Sequence, residues 1–309
     1  MLSREDLLWR RGIWVEVEGK IRRFFEERNY LEVRTPLMVQ SPGMEPNLDP
    51  FQVTVRDTRF KEPVKAGLIT SPEYAMKKLL GAGLEAIFTL TPVFRNDERA
   101  GIRWSHEFTM LEWYRQGADY KECMVETEEL VKVVLGETEA PAWPRLAYCS
   151  LYAEHFGIHP ADYKGLAGEV EANFEREIMP ELVKKYSRFI LCEYPVAQAA
   201  LARATPDGRA AERFEAYVDG LEICNAFTEL VDSEEQRRRF IAEAEKRVSL
   251  EKTVYPIDEE LLSALSSVRS PTYGNALGVD RLVMLAARVT DIDSIHMFPP
   301  SQRFYGISK

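Results

Sequence analysis

Glu107-Phe108-Thr109-Met110-Leu111-Glu112-Trp113-Tyr114 constrains this chain more than any other stretch. Read with a period of two it is a strand, and Phe108, Met110, Glu112 and Tyr114 then share one face. A carboxylate set among aromatic rings on a sheet face is costly unless a cation or hydrogen-bond donors meet it. Two arrangements satisfy Glu112: a salt bridge to a buried Arg or Lys, or a site that receives a cationic ligand.

A second acidic pair lies further on. Asp219-Gly220, between apolar runs at 214–218 and 221–230, is a two-residue hairpin signal. Simple pairing then sets Tyr217 against Glu222 and Glu215 against Cys224, so that Glu215 and Glu222 are diagonal neighbours on one face. Like charges so placed need a counter-ion, and their hard oxygens suit Mg²⁺, an ion usually bound together with substrate phosphates. Strict alternation puts Asn225, Phe227 and Glu229 on the opposite face from Glu222. They share a pocket with it only if a bulge or sharp twist intervenes near Cys224.

Two arginines complete the pattern. Arg95 ends a strand predicted over 87–94, and Arg281 follows a Gly-rich turn, 274–278, at the start of a helix over 281–287. Arginines so placed can fork onto phosphate oxygens and neutralise charge that develops during displacement. An acidic pocket for an amine, an acid pair for Mg²⁺ and arginines for phosphate suit ATP-dependent activation of a cationic amino acid.

The rest of the chain reads as mixed helix and strand. Ser3-Arg4-Glu5-Asp6 has the form of a capping box, and Leu7, Trp14, Val17, Ile21 and Phe24 make one apolar helix face that runs to about Glu27. Tyr30-Leu31-Glu32-Val33 is a short strand, and 40–50 is a loop. A helix follows with Ser71 as N-cap and Pro72 at the first position. Further helices are predicted over 121–135, 166–186 and 234–249. No Pro-, Gly- or Ser-rich linker and no internal repeat divides the 309 residues, so the expectation is one α+β domain.

Composition sets the partners. Asp and Glu number 50 against 40 Lys and Arg, a net charge of −10, which disfavours extensive nucleic-acid binding. No apolar run is long enough for a transmembrane helix, and the charged N-terminus is unlike a secretory signal. Cys123, Cys149, Cys192 and Cys224 are scattered without a C-x-x-C pair, which suggests reduced thiols in a cytoplasmic protein. Gly81-Ala82-Gly83 precedes a strand and reads as a helix C-cap rather than a dinucleotide loop. His155 and His159 have metal-ligand spacing, but Gly157 and Pro160 break the helix that spacing needs.

Phe94-Arg95-Asn96-Asp97 through Glu107-Phe108 resembles motif 2 of the class II aminoacyl-tRNA synthetases. Gly274-Asn275-Ala276-Leu277-Gly278-Val279-Asp280-Arg281 is similar to their motif 3, and the first helix with Glu32-Val33-Arg34-Thr35-Pro36 is similar to motif 1, the dimerisation element. Thr70-Ser71-Pro72-Glu73, Glu107–Tyr114, Arg213-Phe214-Glu215 and the segment 220–230 are of the lysyl type. The resemblance implies an antiparallel sheet flanked by helices. It also implies that the chain starts at motif 1 with no anticodon-binding domain, so that 1–309 is one catalytic domain.

Three features resemble the free-standing lysyl-type paralogues that join (R)-β-lysine to a lysine side chain of elongation factor P: that start, Ala276 inside motif 3, and 195–202 without a Ser-Pro pair. By residue, the resemblance implies that Arg95 binds the α-phosphate and Arg281 the γ-phosphate, the two catalytic positions. Asn96, Asp97, Phe108, Glu222, Ile223 and Gly278 would hold the rest of ATP. Glu215 and Glu222 would hold Mg²⁺. Ser71, Pro72, Glu73, Glu112, Tyr114, Asn225, Phe227, Glu229 and Ala276 would line the site for lysine or β-lysine. Elongation factor P is the acceptor so implied, with a homodimer through motif 1 and no role for tRNA. Asp97 stands where Glu is usual, Trp104-Ser105-His106 where His-Asn-Pro is, Ala226 where Gly is and Cys224 where the ligases tend to have Ala. Lysyl transfer to tRNA or another acceptor, and a catalytically silent regulatory relative, are the competing expectations.

Overall fold

Ser3 opens the first helix as its side chain accepts from the Asp6 backbone N–H while the Asp6 carboxylate accepts from the Ser3 N–H, a complete capping box. The computed structural model describes residues 2–96, 102–166 and 168–303. In chain order the elements are α1 (Arg4–Glu26), β1 (Leu31–Glu32), β2 (Met38–Val39), β3 (Gln52–Val55), β4 (Val64–Leu68), α2 (Glu73–Gly81), β5 (Ala86–Phe94) and β6 (Glu107–Gln116). There follow α3 (Tyr120–Leu135), β7 (Arg145–Ala147), α4 (Tyr148–Phe156), α5 (Glu169–Glu177), α6 (Met179–Lys185) and β8 (Arg188–Tyr194). Last come β9 (Ala211–Val218), β10 (Leu221–Thr228), α7 (Ser233–Ser249), α8 (Glu259–Leu265), β11 (Thr272–Gly278) and α9 (Val279–Ala287).

Eight strands form one sheet in the order β1-β5-β6-β11-β10-β9-β8-β7, antiparallel from β5 through to β8 with a parallel strand at each edge. The α+β expectation of an antiparallel sheet with helices around it holds. Its two faces differ in chemistry. Leu111 and Trp113, Tyr273 and Leu277, Cys224 and Ala226, and Phe214 and Ala216 point to one side. There they pack with Val17, Ile21, Phe24 and Phe25 of α1 and with residues of α3 and α9. Burying each of those large side chains of α1 contributes about 2 kcal/mol. A buried carboxylate, Glu126, is satisfied within this layer by Tyr30 Oη, Trp113 Nε1 and Tyr273 Oη at 2.6–2.9 Å. The other face carries Glu112, Arg213, Glu215 and Asn225.

The hairpin forms as expected, with positive φ at both Asp219 (48°) and Gly220 (73°), the pair a type I′ turn requires. Gly81 ends α2, and Gly157 caps α4 in the left-handed region, so no helix carries both His155 and His159. Among the described residues no cluster of three or more His, Cys, Asp or Glu suits a metal ion, and no helix is long and apolar enough to cross a membrane.

Two expectations are corrected. Residues 274–278 are not a turn: they belong to β11, paired on both sides near the middle of the sheet, and the helix begins at Val279 rather than Arg281. Gly274 is there because its neighbours leave no room for a side chain, not because the chain bends. The helical stretch over 166–186 is two helices, divided at Ile178 just before Pro180. The strand β8, the helices α4 and α8 and the small sheet β2-β4-β3 had no counterpart in the sequence reading.

Candidate active site

Strand register builds the polar face row by row. Glu215, Asn225, Ala276, Glu112 and Thr89 lie side by side across five strands, and Arg213, Phe227, Gly274, Tyr114 and Ile87 form the next row on the same face. The hairpin register explains how. Tyr217 faces Glu222 as expected, but the pairing shifts between Glu222 and Cys224, so Glu215 faces Asn225 instead of Cys224. One extra residue at that bulge moves Asn225 and Phe227 onto the face of Glu222. This is the condition under which the sequence allowed them to share a pocket.

At one end of this face lies a cavity of about 310 Å³, walled by Ser71, Glu73, Arg95, Tyr114, Asn225, Phe227 and Ala276 among the expected residues. Beneath it, Glu112 is fully buried and accepts hydrogen bonds from Ser71 Oγ (2.5 Å) and Tyr114 Oη (2.8 Å). Neither alternative for Glu112 is met alone: hydroxyl donors hold it, and the nearby cation pairs with its neighbours. That cation is Lys77, one turn along α2 from Glu73 and 2% exposed, which bridges Glu73 (2.5 Å) and Glu229 (2.6 Å). Burial by itself would lower the Lys77 pKa, but Glu229 and Glu73 together raise it above the ordinary lysine value. Three carboxylates thus surround one ammonium. Burial, reinforced by the Glu73 charge, pushes Glu112 up to about 8. Burial likewise carries Glu229 to about 8 although Lys77 opposes it. Among the described residues Lys77 is the cation paired with this set, and a ligand amine would add a second.

At the other end is a smaller cavity of about 140 Å³, walled by Arg95, Phe108, Glu222, Ile223, Asn225, Ala276, Gly278 and Arg281, with Trp104, Ser105 and Asp280. Arg281 stands on the first turn of α9 and donates from Nη1 to the Glu222 backbone carbonyl, with the Glu222 carboxylate 3.8 Å away. The Arg95 guanidinium lies 5.2 Å from the centre of the Phe108 ring. Partial removal from water and the Glu215 charge raise Glu222 to about 7, against the pull of Arg281, Arg213 and Arg95. Arg95, Met110, Asn225 and Ala276 line both cavities. One face therefore joins an acidic pocket, suited to amines, to a basic one, suited to phosphates.

Some expected residues stand elsewhere. Pro72 lines a separate cavity on the outer side of α2, and Asn96 is exposed, its backbone N–H donating to the Asp49 carbonyl. Asp97 lies outside the described residues. Glu215 is already engaged, by the Arg213 guanidinium and by Tyr194 Oη (2.7 Å) and Tyr217 Oη (2.6 Å). Glu45, Arg213 and Glu243 also wall the acidic cavity and Lys77 pairs with its Glu73; none of the four was an expected site residue, and Arg213 had entered only within Arg213-Phe214-Glu215. The i,i+4 spacing from Glu73 was the available signal for Lys77. Arg213 carried one too, since it alternates with Glu215 along β9.

The model of a family described as class II tRNA synthetases (D, K and N) matches residues 7–302. Curated relatives cover nearly the whole chain. A protein of Sodalis glossinidius named elongation factor P–(R)-β-lysine ligase is 40% identical, over 91% of this chain and 92% of its own. Proteins of the same name from Erwinia tasmaniensis (40% identical; 95% and 94% covered) and Vibrio vulnificus (36%; 91% and 92%) agree. With its sheet, its two joined cavities and these relatives, the chain belongs to the class II tRNA synthetase family, in the group of the elongation factor P–(R)-β-lysine ligases.

Proposed function

We propose that this chain uses ATP to activate (R)-β-lysine or lysine as an aminoacyl adenylate and transfers it to a lysine side chain of elongation factor P. The observation that carries this reading is the wall shared by the acidic and basic cavities, because an aminoacyl adenylate joins an amine-bearing group to a nucleotide phosphate. The acceptor is inferred from the name that the relatives carry.

In this reading Glu73, Glu112 and Glu229 receive the substrate amines, and Ala276 sits where the amino acid meets the nucleotide. Phe108 offers adenine a face, and Ile223 and Gly278 line its slot. Arg95 and Arg281 take the α- and γ-phosphates. A carboxylate oxygen of the amino acid attacks the α-phosphorus and pyrophosphate leaves. The acceptor amine then attacks the acyl carbon, loses a proton and expels AMP. Placement and charge stabilisation supply the rate rather than a protein nucleophile. Among the described residues no hydrogen bond reaches the Glu222 carboxylate, while Glu215 is held by Arg213 and two tyrosines. One open carboxylate backed by a second fits Mg²⁺, which takes one or two carboxylates beside substrate phosphates. Bound there, the ion would neutralise phosphate charge. Residues 1–309 would act as one catalytic unit in the cytoplasm. Exposed Leu31, Leu37 and Met38, following α1, support a homodimer through that region.

Pyrophosphate exchange with α-lysine and with (R)-β-lysine, followed by transfer to elongation factor P and to tRNA, tests the reading. Exchange with a lysine-type substrate and labelling of the protein are expected; efficient tRNA charging with no labelled protein would sink it.

Binding should depend on pH. Glu112 and Glu229, with pKa values of about 8, are mainly protonated at pH 6.5 and ionised at pH 9. Lysine affinity measured by calorimetry is therefore expected to rise on the order of tenfold across that window. Glu112→Gln should flatten the profile. Stability runs the other way. Because both values lie above the unfolded 4.5, these acids favour folding below that pH, and the contribution is lost as pH rises through about 8. The free protein should melt lower at pH 9 than at pH 6, and saturating lysine should narrow the gap.

A further inference from the structure

We infer that Trp104 is a positioning residue for the nucleotide, acting through Arg281. The indole ring lies 4.0 Å from the Arg281 guanidinium carbon. Arg281 needs such support. Its side chain is 15% exposed, and among the described residues its polar contacts are the Glu222 carbonyl and the Glu222 carboxylate at 3.8 Å. A guanidinium carries five N–H donors, and a long side chain held at one nitrogen keeps much of its rotamer freedom. An aromatic ring against the flat face restrains the plane of the group while leaving its edge N–H groups to meet an anion. A second carboxylate in Trp104's place would neutralise the charge instead.

The position of Trp104 fits this role. It comes from the connection between β5 and β6 and is 39% exposed. It lines the basic cavity together with Phe108 and Gly278, and it also lines a neighbouring cavity of about 680 Å³ bordered by Phe51, Phe94 and Ile102. Trp104 is thus part of the partition between the nucleotide-side cavity and its neighbour, with Arg281 against its ring. Next to it, Ser105 is buried and its hydroxyl accepts from the Glu107 N–H at 3.4 Å, which ties the segment to the start of β6.

The inference rests on the ATP-binding reading, and one set of measurements separates the two. Binding of ATP with Mg²⁺ is measured by calorimetry for the unaltered chain, W104A, W104F, R281A and the W104A/R281A double variant, with thermal melts to confirm folding. W104A is expected to weaken ATP about fivefold, the size of a partly desolvated cation–π contact. W104F should stay within about twofold, because phenylalanine retains a π face. In the R281A background, W104A should add nothing. Unchanged affinity in W104A overturns the inference. So does an equal loss with and without Arg281, since the indole would then act on ATP directly or on the loop. If the unaltered chain fails to bind ATP, the activation reading falls and this one with it; if it binds and the coupling is absent, only this one falls.

Discussion

Gly274→Ala is expected to abolish amino-acid activation and to destabilise the protein by about 3 kcal/mol, the upper range for overpacking a filled interior. A methyl group at this position would lie closer than 3.0 Å to Glu229 Oε1 and to the Tyr114 ring. Moving either one costs a buried contact. Tyr114 is buried between β5 and β11 with its hydroxyl on Glu112, and Glu229 is buried against Lys77. Moving Glu229 would release Lys77 from one of its two carboxylates, and the loss would spread to Glu73. Thermal melting and lysine-dependent pyrophosphate exchange measure the two effects. A variant that kept exchange within about twofold and its melting temperature within a degree or two would contradict the packing argument.

Arg281→Ala is the complementary case, with a large loss of activity and a small loss of stability. The side chain is mainly engaged with the Glu222 backbone and the Trp104 ring at a cavity wall, and a carbonyl released there can turn to water. Its charge, however, faces the site where phosphate charge would develop. Removing such a stabilising donor typically lowers turnover by about 10²–10³-fold, and pyrophosphate exchange should fall accordingly while the melting temperature shifts little. Unchanged exchange would remove Arg281 from the phosphate role. A collapse of stability would show it to be structural.

Much of the fold was legible because its signals are local. The capping box at Ser3 and Asp6, the apolar stripe of α1 and the Asp219-Gly220 turn each depend on residues a few positions apart. The alternation of Glu107–Tyr114 placed Glu112 and Tyr114 on one face, and the two do touch. The strand β8 went unread because a short continuous apolar run has no period to show. Residues 274–278 were misread as a turn because glycine serves both bends and close packing. Nothing in the segment itself says that Glu229 and Tyr114 close over it.

The sequence by itself determined which chemical groups this protein has and the order in which its strands and helices carry them: carboxylates among aromatics, an acidic hairpin, and arginines at two element ends. Periodicity, capping and turn chemistry act within a few residues, so they can be read without the fold. Only the tertiary structure decided how those charges are shared. Lys77 comes to rest between Glu73 and Glu229, Arg213 on Glu215, and Trp104 against Arg281. A buried charge takes the partner that burial brings within reach. Here that partner is set by a bulge after Glu222 and by the packing of α2 against the sheet, which join residues far apart in the chain.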